Sequence, residues 1–180
     1  MQSSLIYVIQ TVTDLYLMTL LFRLVLEFFK ADYYNPIAQL IIKITNPIIN
    51  PFKFIIPRIG NLNTSILFVW ILLQSFILWL LLFTISRELS YTNIIFISAM
   101  KLINSLISLY TWGIIIHAVL SWFPLNYNPL VALLSQVINP FLSPFRKIIP
   151  LSGGIDFSPI LALILLNAIS IAIPSPNIYI

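Results

Sequence analysis

Asn46, Pro47, Pro51, Phe52, Lys53, Ile56 and Pro57 recur 93 residues later as Asn139, Pro140, Pro144, Phe145, Arg146, Ile149 and Pro150. Aligning residues 35–65 on 128–158 without a gap gives 12 identities in 31 positions. With a one-residue shift, Arg23 to Phe29 also aligns on His117 to Phe123. An internal repeat constrains architecture before local propensity does, because one supersecondary unit must serve both copies.

The chemistry of the unit follows from its apolarity. Of 180 residues, 60% are hydrophobic and 8% are charged, with a mean hydropathy of +1.03. A soluble domain carries about a quarter charged residues. This chain has too little charged surface to cover a globule in water, and it reads as an all-α membrane protein. Residues 5–29, 65–86, 94–122 and 157–173 are apolar runs of the length needed to cross a hydrocarbon core, which takes roughly 20 helical residues. The expected organisation is therefore four transmembrane helices in two parallel repeats, residues 1–86 and 94–173. Each repeat reads as helix, interfacial amphipathic segment, helix. Two crossings return the chain to its starting side, so the repeats share one orientation about a pseudo-twofold axis along the membrane normal.

The interfacial segments are 35–57 and 128–150. Ile37, Leu40, Ile41, Ile44 and Ile48 stand at helical spacing, matched by Leu130, Leu133, Leu134, Val137 and Phe141. Such a face suits a helix lying in the plane of the interface. Pro47 and Pro51, with Pro140 and Pro144 in the second copy, are expected to interrupt these helices. Phe52 with Lys53, and Phe145 with Arg146 and Lys147, are expected at headgroup level, facing anionic lipid or a membrane-protein partner. The long connections carry Lys30, Lys43, Lys53, Arg58, Arg146 and Lys147, against Arg87 alone on the other side. This bias places the long connections in the cytoplasm and both termini outside.

Other classes are excluded. The net charge of +4 comes from dispersed basic residues, so no nucleic-acid surface is expected. The chain has no cysteine, which removes disulfides, thiolate metal sites and covalent haem attachment through cysteine. Met1 to Ser4 lack a positive n-region, so the first apolar run is expected to stay as a membrane helix rather than be cleaved.

The run from Asn139 through Pro144, Phe145, Arg146, Pro150, Gly153, Gly154, Ile155, Asp156, Phe157, Ser158 and Pro159 resembles the YggT/YlmG family. Asp14, Tyr16 and Arg23 are similar to its bacterial two-repeat members, and the resemblance covers nearly the whole chain. It implies residence in a bacterial inner membrane or a thylakoid. It further implies a part in osmotic-stress tolerance, division or envelope shape, or plastid cytochrome assembly, with no enzymatic activity attached. The expected role is organising envelope components without catalysis.

The residues agree on the absence of catalysis. No carboxylate–histidine cluster, glycine-rich phosphate loop or metal-ligand spacing is present, so no catalytic, cofactor or metal residue is expected. Tyr7, Gln10, Thr11 and Asp14 share one helical face, matched by Lys101, Asn104, Ser105 and Ser108. An intramembrane polar seam through Gln10, Asp14, Asn104 and Ser108 reads as hydrogen-bonding glue between spans. The alternative is a proton, cation or small-solute path around Asp14, for which an intramembrane carboxylate is a candidate. An Asp14–Lys101 pair is not expected, because the repeat puts Lys101 level with Tyr7, roughly 10 Å away along the axis. Arg23 and Glu27 read as an intrahelical pair worth tenths of a kcal/mol, and His117 as a buried, hydrogen-bonded imidazole. Ser65, Asp156 and Ser158 read as helix caps. The four tryptophans, Trp70, Trp79, Trp112 and Trp122, read as packing and interface anchors. No self-association motif is present, so a homo-oligomer stays open.

Overall fold

The computed structural model describes residues 2–84, 89–121, 128–148 and 156–173. Six helices appear among them, in the order α1 (Gln2–Phe28), α2 (Pro36–Lys53), α3 (Thr64–Thr84), α4 (Tyr91–Ser121), α5 (Pro129–Ile148) and α6 (Ser158–Ala172). Three of these, α1, α3 and α4, are long and apolar enough to cross a membrane. At 15 residues α6 is apolar but shorter. Residues 85–86 of the second expected span, Trp122 of the third, Arg87, residues 149–150 and Gly153 to Ile155 lie outside the described residues.

The end of α1 is set by backbone chemistry rather than by proline. Lys30 takes a left-handed conformation with φ of 52°. Ala31 N–H then donates to Leu26 O at 2.9 Å and Lys30 N–H to Glu27 O at 3.2 Å. This pair of bonds satisfies carbonyls that a helix end leaves open.

The proline segments correct an expectation. α2 runs unbroken through Pro47 and Pro51, and α5 through Pro140 and Pro144. In each helix the two prolines stand four apart, so their missing donors fall on one face, and all four prolines are exposed. The opposite face of α2, through Ala38, Ile41, Thr45 and Ile49, is buried. Burial on that side offsets the helix-breaking cost, about 3 kcal/mol for an interior proline.

Packing gives the directions of the helices. Trp70 of α3 donates to Leu17 O of α1 at 3.0 Å, and Asn63 bonds Glu27. Numbering rises along one helix as it falls along the other, so α1 and α3 are antiparallel. Ser75 of α3 donates to Ser98 of α4 at 3.0 Å, and Leu78 and Leu82 cluster with Ile94. α4 is thus antiparallel to α3 and parallel to α1. The main core forms around Leu20, Leu21, Ile66, Trp70, Ile114, Val137, Ile138 and Ala162, joining α1, α3, α4, α5 and α6. Gly113 permits close approach of α4 to α5, since a Cβ there would stand 3.1 Å from Ile138 Cδ1.

Candidate functional site

The strongest concentration of charge lies where α1 meets α2 and the turn before α3. Arg23 Nε donates to Glu27 Oε1 at 2.9 Å, and its Nη1 donates to Thr45 Oγ1 at 2.5 Å. Glu27 Oε2 accepts from Asn63 Nδ2 at 2.8 Å and from Arg58 Nη2. Arg23 is 2% exposed and Glu27 7%, and Thr45 and Asn63 are also buried. The expected intrahelical pair of Arg23 and Glu27 forms, but it is buried and shared with Thr45, Arg58 and Asn63, so its expected worth of tenths of a kcal/mol is too small. Desolvation makes a buried ion pair costly to break, because one partner left alone is an uncompensated buried charge.

The second half rebuilds the arrangement with its charges exchanged. Asp156 occupies the position of Asn63 in the repeat, and Arg146 that of Lys53. Arg146 Nε donates to Asp156 Oδ2 at 2.9 Å, and Nη2 donates to Asn139 Oδ1 at 3.1 Å. Ser121, the counterpart of Glu27, donates to its own helix at Ala118 O. The carboxylate has moved from the span to the segment before the next helix, yet an arginine still holds it. Burial raises the Asp156 carboxyl, but hydrogen bonds from Ser158 and Arg146 outweigh this and leave it below its ordinary value.

Of the expected caps, Asp156 accepts from Ser158 N–H at 2.9 Å, but it stands one residue ahead of Phe157, the N-cap position of α6, which carries no side-chain cap. Ser158 itself does not cap: it is the first residue of α6, and its buried hydroxyl sits beside Asp156 without hydrogen-bond geometry. Ser65 is already inside α3, and its hydroxyl donates back to Ile56 O at 3.0 Å, tying the turn to the helix. The clearest side-chain cap is Asn35, whose Oδ1 accepts from Ile37 N–H at 2.9 Å.

The headgroup candidates divide. Lys53 and Lys147 are exposed. Phe52 is half-buried against Phe68, with ring centroids 5.6 Å apart. Phe145 is buried, its ring tilted against Phe141, which itself packs on Tyr110 of α4 at 4.5 Å. Arg146 is occupied internally by Asp156 and Asn139. The expectation that Phe145 faces outward is corrected, because α5 rolls its aromatic side onto α4; Arg146 keeps over a third of its side chain exposed while bonded to Asp156. The outward apolar row on α2 is Leu40, Ile44 and Ile48, followed by Phe54 at 92% exposure and by Ile55. Lys53 lies nearby with its ammonium held below the usual lysine range, by burial first and by Arg23 and Arg58 besides.

Of the expected polar seam, Asp14 makes one inter-helix contact, and it lies on the outside of the bundle. Lys101 Nζ lies 2.8 Å from Asp14 Oδ1. This overturns the expectation that the two stand apart, and α3 supplies the reason. Trp70 meets Leu17 and Ser75 meets Ser98, so five residues along α3 place Ser98 level with about residue 12 of α1. Lys101 is then level with about residue 15, not with Tyr7. The halves keep repeat register where Asn35 Nδ2 donates to Pro129 O at 2.8 Å, and lose it along α1 and α4. Gln10 and Asn104 are half-buried, while Asp14 and Ser108 are exposed. His117 is half-buried with Nε2 3.2 Å from Ser135 Oγ, as a hydrogen-bonded imidazole would be.

A separate groove of about 420 Å³ opens between α3 and α4, lined by Ser75, Phe76, Trp79, Tyr91, Ile94 and Ile95. Asp14 does not line it. Among the described residues no group of three His, Cys, Asp or Glu stands together as a metal site.

The family model described as CCB3/YggT matches residues 2–85 and again 96–175. The chain belongs to the CCB3/YggT family. Its relatives include the uncharacterized protein YggT of Escherichia coli, 34% identical over 172 residues, covering 95% of this chain and 89% of that protein. The uncharacterized protein PA0392 of Pseudomonas aeruginosa is 34% identical over 176 residues, covering 96% and 89%. YlmG homolog protein 2, chloroplastic, of Arabidopsis thaliana is 45% identical over 67 residues, 37% of this chain and 26% of that protein. No solved structure matches. The double match of the family model falls on the two stretches that carry the clusters around Glu27 and Asp156, so both clusters belong to the family region of this chain.

Sequence reasoning missed the Glu27 cluster. The available signal was the pairing of Asn63 with Asp156 in the repeat. That position carries an amide in one copy and a carboxylate in the other, a substitution suited to a site that accepts from or answers an arginine.

Proposed function

We propose that this is a non-enzymatic inner-membrane protein with four spans, α1, α3, α4 and α6, in two repeats of one orientation. α2 and α5 then lie in the cytoplasmic interface and present a surface for anionic lipid or for envelope proteins that the chain organises. One observation carries this reading. α2 is apolar on two sides, buried through Ala38, Ile41 and Ile49 and exposed through Leu40, Ile44 and Ile48. A helix resting on water exposes a polar face; one with a second apolar face needs a second apolar phase, and acyl chains supply it. Arg23 and Arg58 bond one carboxylate, Glu27, here, with Lys53 within electrostatic reach of all three, and a headgroup phosphate would answer the surplus positive charge. The Arg23–Glu27–Arg58–Asn63 cluster and its Asp156 counterpart lock the interfacial helices to the spans, so the surface is presented rigidly.

The test is a photoreactive side chain at Ile44 or at Phe54 in the protein reconstituted into vesicles with and without anionic lipid. Lipid adducts that increase with the anionic fraction support the reading. Labelling by water-soluble reagents alone overturns it. A transport path around Asp14 has no comparable support, since the carboxylate is held by Lys101 on the outer face of the bundle.

A further inference from the structure

The Asp14–Lys101 pair has an uncommon position. Asp14 lies twelve residues from the start of α1 and fourteen from its end, about 18 and 21 Å along the axis. Its side chain is nonetheless 49% exposed, and that of Lys101 is 28% exposed. An aspartate side chain is too short to reach an interface from there. If α1 spans a bilayer, the chain alone would turn a half-open ion pair towards lipid, where charge is expensive. The surrounding threonines show what lipid exposure allows. Thr11 and Thr13 fold their hydroxyls back onto Tyr7 O and Ile9 O, both at 2.8 Å, and need no outside partner. The Asp14 carboxylate has Lys101 as its partner within the chain, but that bond leaves about half of the aspartate side chain open to the outside.

We infer that this face of α1 and α4 is where a second copy of the chain docks, side by side and in the same orientation, with Asp14 of each copy against Lys101 of the other. The inference rests on the charges and their depth. Asp14 and Lys101 are bonded to each other, so they lie at one depth. A twofold rotation about the membrane normal preserves depth and exchanges left for right across the contact. It therefore brings the acid of each copy onto the base of the other, as an isologous interface requires. Four charges in a closed ring leave neither sign facing lipid. Ser105 and Ser108 continue the α4 side of this face with small side chains that permit close helix approach. Trp112, 63% exposed on the same row, supplies an aromatic of the kind enriched at interfaces.

The experiment uses the full chain, whose lack of cysteine makes single-cysteine variants unambiguous. Thr11→Cys, in otherwise unchanged protein in membranes, should give a dimer with a short bis-maleimide. Ile164→Cys, on exposed α6, should give several-fold less. Equal yields, or none at Thr11→Cys, overturn the proposal. The second arm co-expresses differently tagged Asp14→Lys and Lys101→Asp chains. Each alone sets like charges together, whereas the mixed pair restores both contacts between copies and neither contact within a copy. Mixed dimers should exceed like dimers several-fold. A statistical mixture overturns the assignment of these residues to the contact. Should the charge variants fail to accumulate, the Thr11→Cys result decides by itself.

Discussion

Asn35 makes two bonds in two directions: its Oδ1 caps α2 at Ile37 N–H, and its Nδ2 reaches the carbonyl of Pro129 at 2.8 Å, at the start of α5. One buried side chain thus starts the first proline helix and fastens it to the second. The two functions separate experimentally. Asn35→Ser retains a neutral cap acceptor and loses the donor to Pro129, whereas Asn35→Ala loses both. Loss of the cap should cost about 1 kcal/mol. Asn35→Ala should therefore lower the thermal midpoint in micelles further than Asn35→Ser does.

Glu27 holds Arg23, Arg58 and Asn63 at once. Replacing it by Gln leaves Arg23 buried without its counter-ion, and the expected loss is about 3–5 kcal/mol. Arg58→Ala should cost clearly less, because more than half of that side chain is in contact with the surroundings. Denaturant titration of the three proteins gives the order directly. Equal losses would show that Glu27 is not the hub.

Asp156 predicts acid sensitivity at the α5–α6 junction. Its carboxyl is held below the ordinary aspartate value by bonds from Ser158 and Arg146, so its stabilising contribution is fully present above that ordinary value. The contribution is lost as pH falls through the lower, folded-state pKa. Melting temperature followed downward from pH 5 should therefore fall more steeply in the native protein than in Asp156→Asn. The two curves should converge at the acid end.

Phe145 and Phe54 make opposite predictions from similar side chains. Phe145→Ala removes a buried ring from the Tyr110–Phe141–Phe145 cluster and should cost about 3–5 kcal/mol. Phe54→Ala should leave folding nearly unchanged and reduce lipid capture instead. Paired unfolding and photolabelling measurements separate the two.

Lys30 ends α1 in a conformation that costs a side-chain-bearing residue about 1–2 kcal/mol. Lys30→Gly should therefore stabilise the protein by about 1 kcal/mol, offset in part by the greater freedom of the unfolded chain. A lower thermal midpoint would show that the lysine side chain contributes more than its backbone costs.

By itself the sequence determined the helical class and the order of helices, because apolar runs of 20 or so residues and a repeated proline segment leave few alternatives. Helix ends followed to within a few residues; α1 begins at Gln2 rather than at residue 5, and α4 at Tyr91 rather than at 94. It also placed Asp156 ahead of a helix and His117 in a hydrogen bond. The tertiary structure alone decided the rest. Propensity said that Pro47 and Pro51 break a helix, and burial of the opposite face overrode it. The stripe through Leu40 and Ile44 was legible as apolar. Which apolar face turns inward depends on neighbours, and the inward face is the adjacent one through Ile41, Thr45 and Ile49. Repeat register set Lys101 beside Tyr7, but α3 packs on both α1 and α4 and aligns it with Asp14 instead. Local pattern fixes which residues share a face of one helix. Contact between helices depends on their axial slip, and that is set by packing through a third helix.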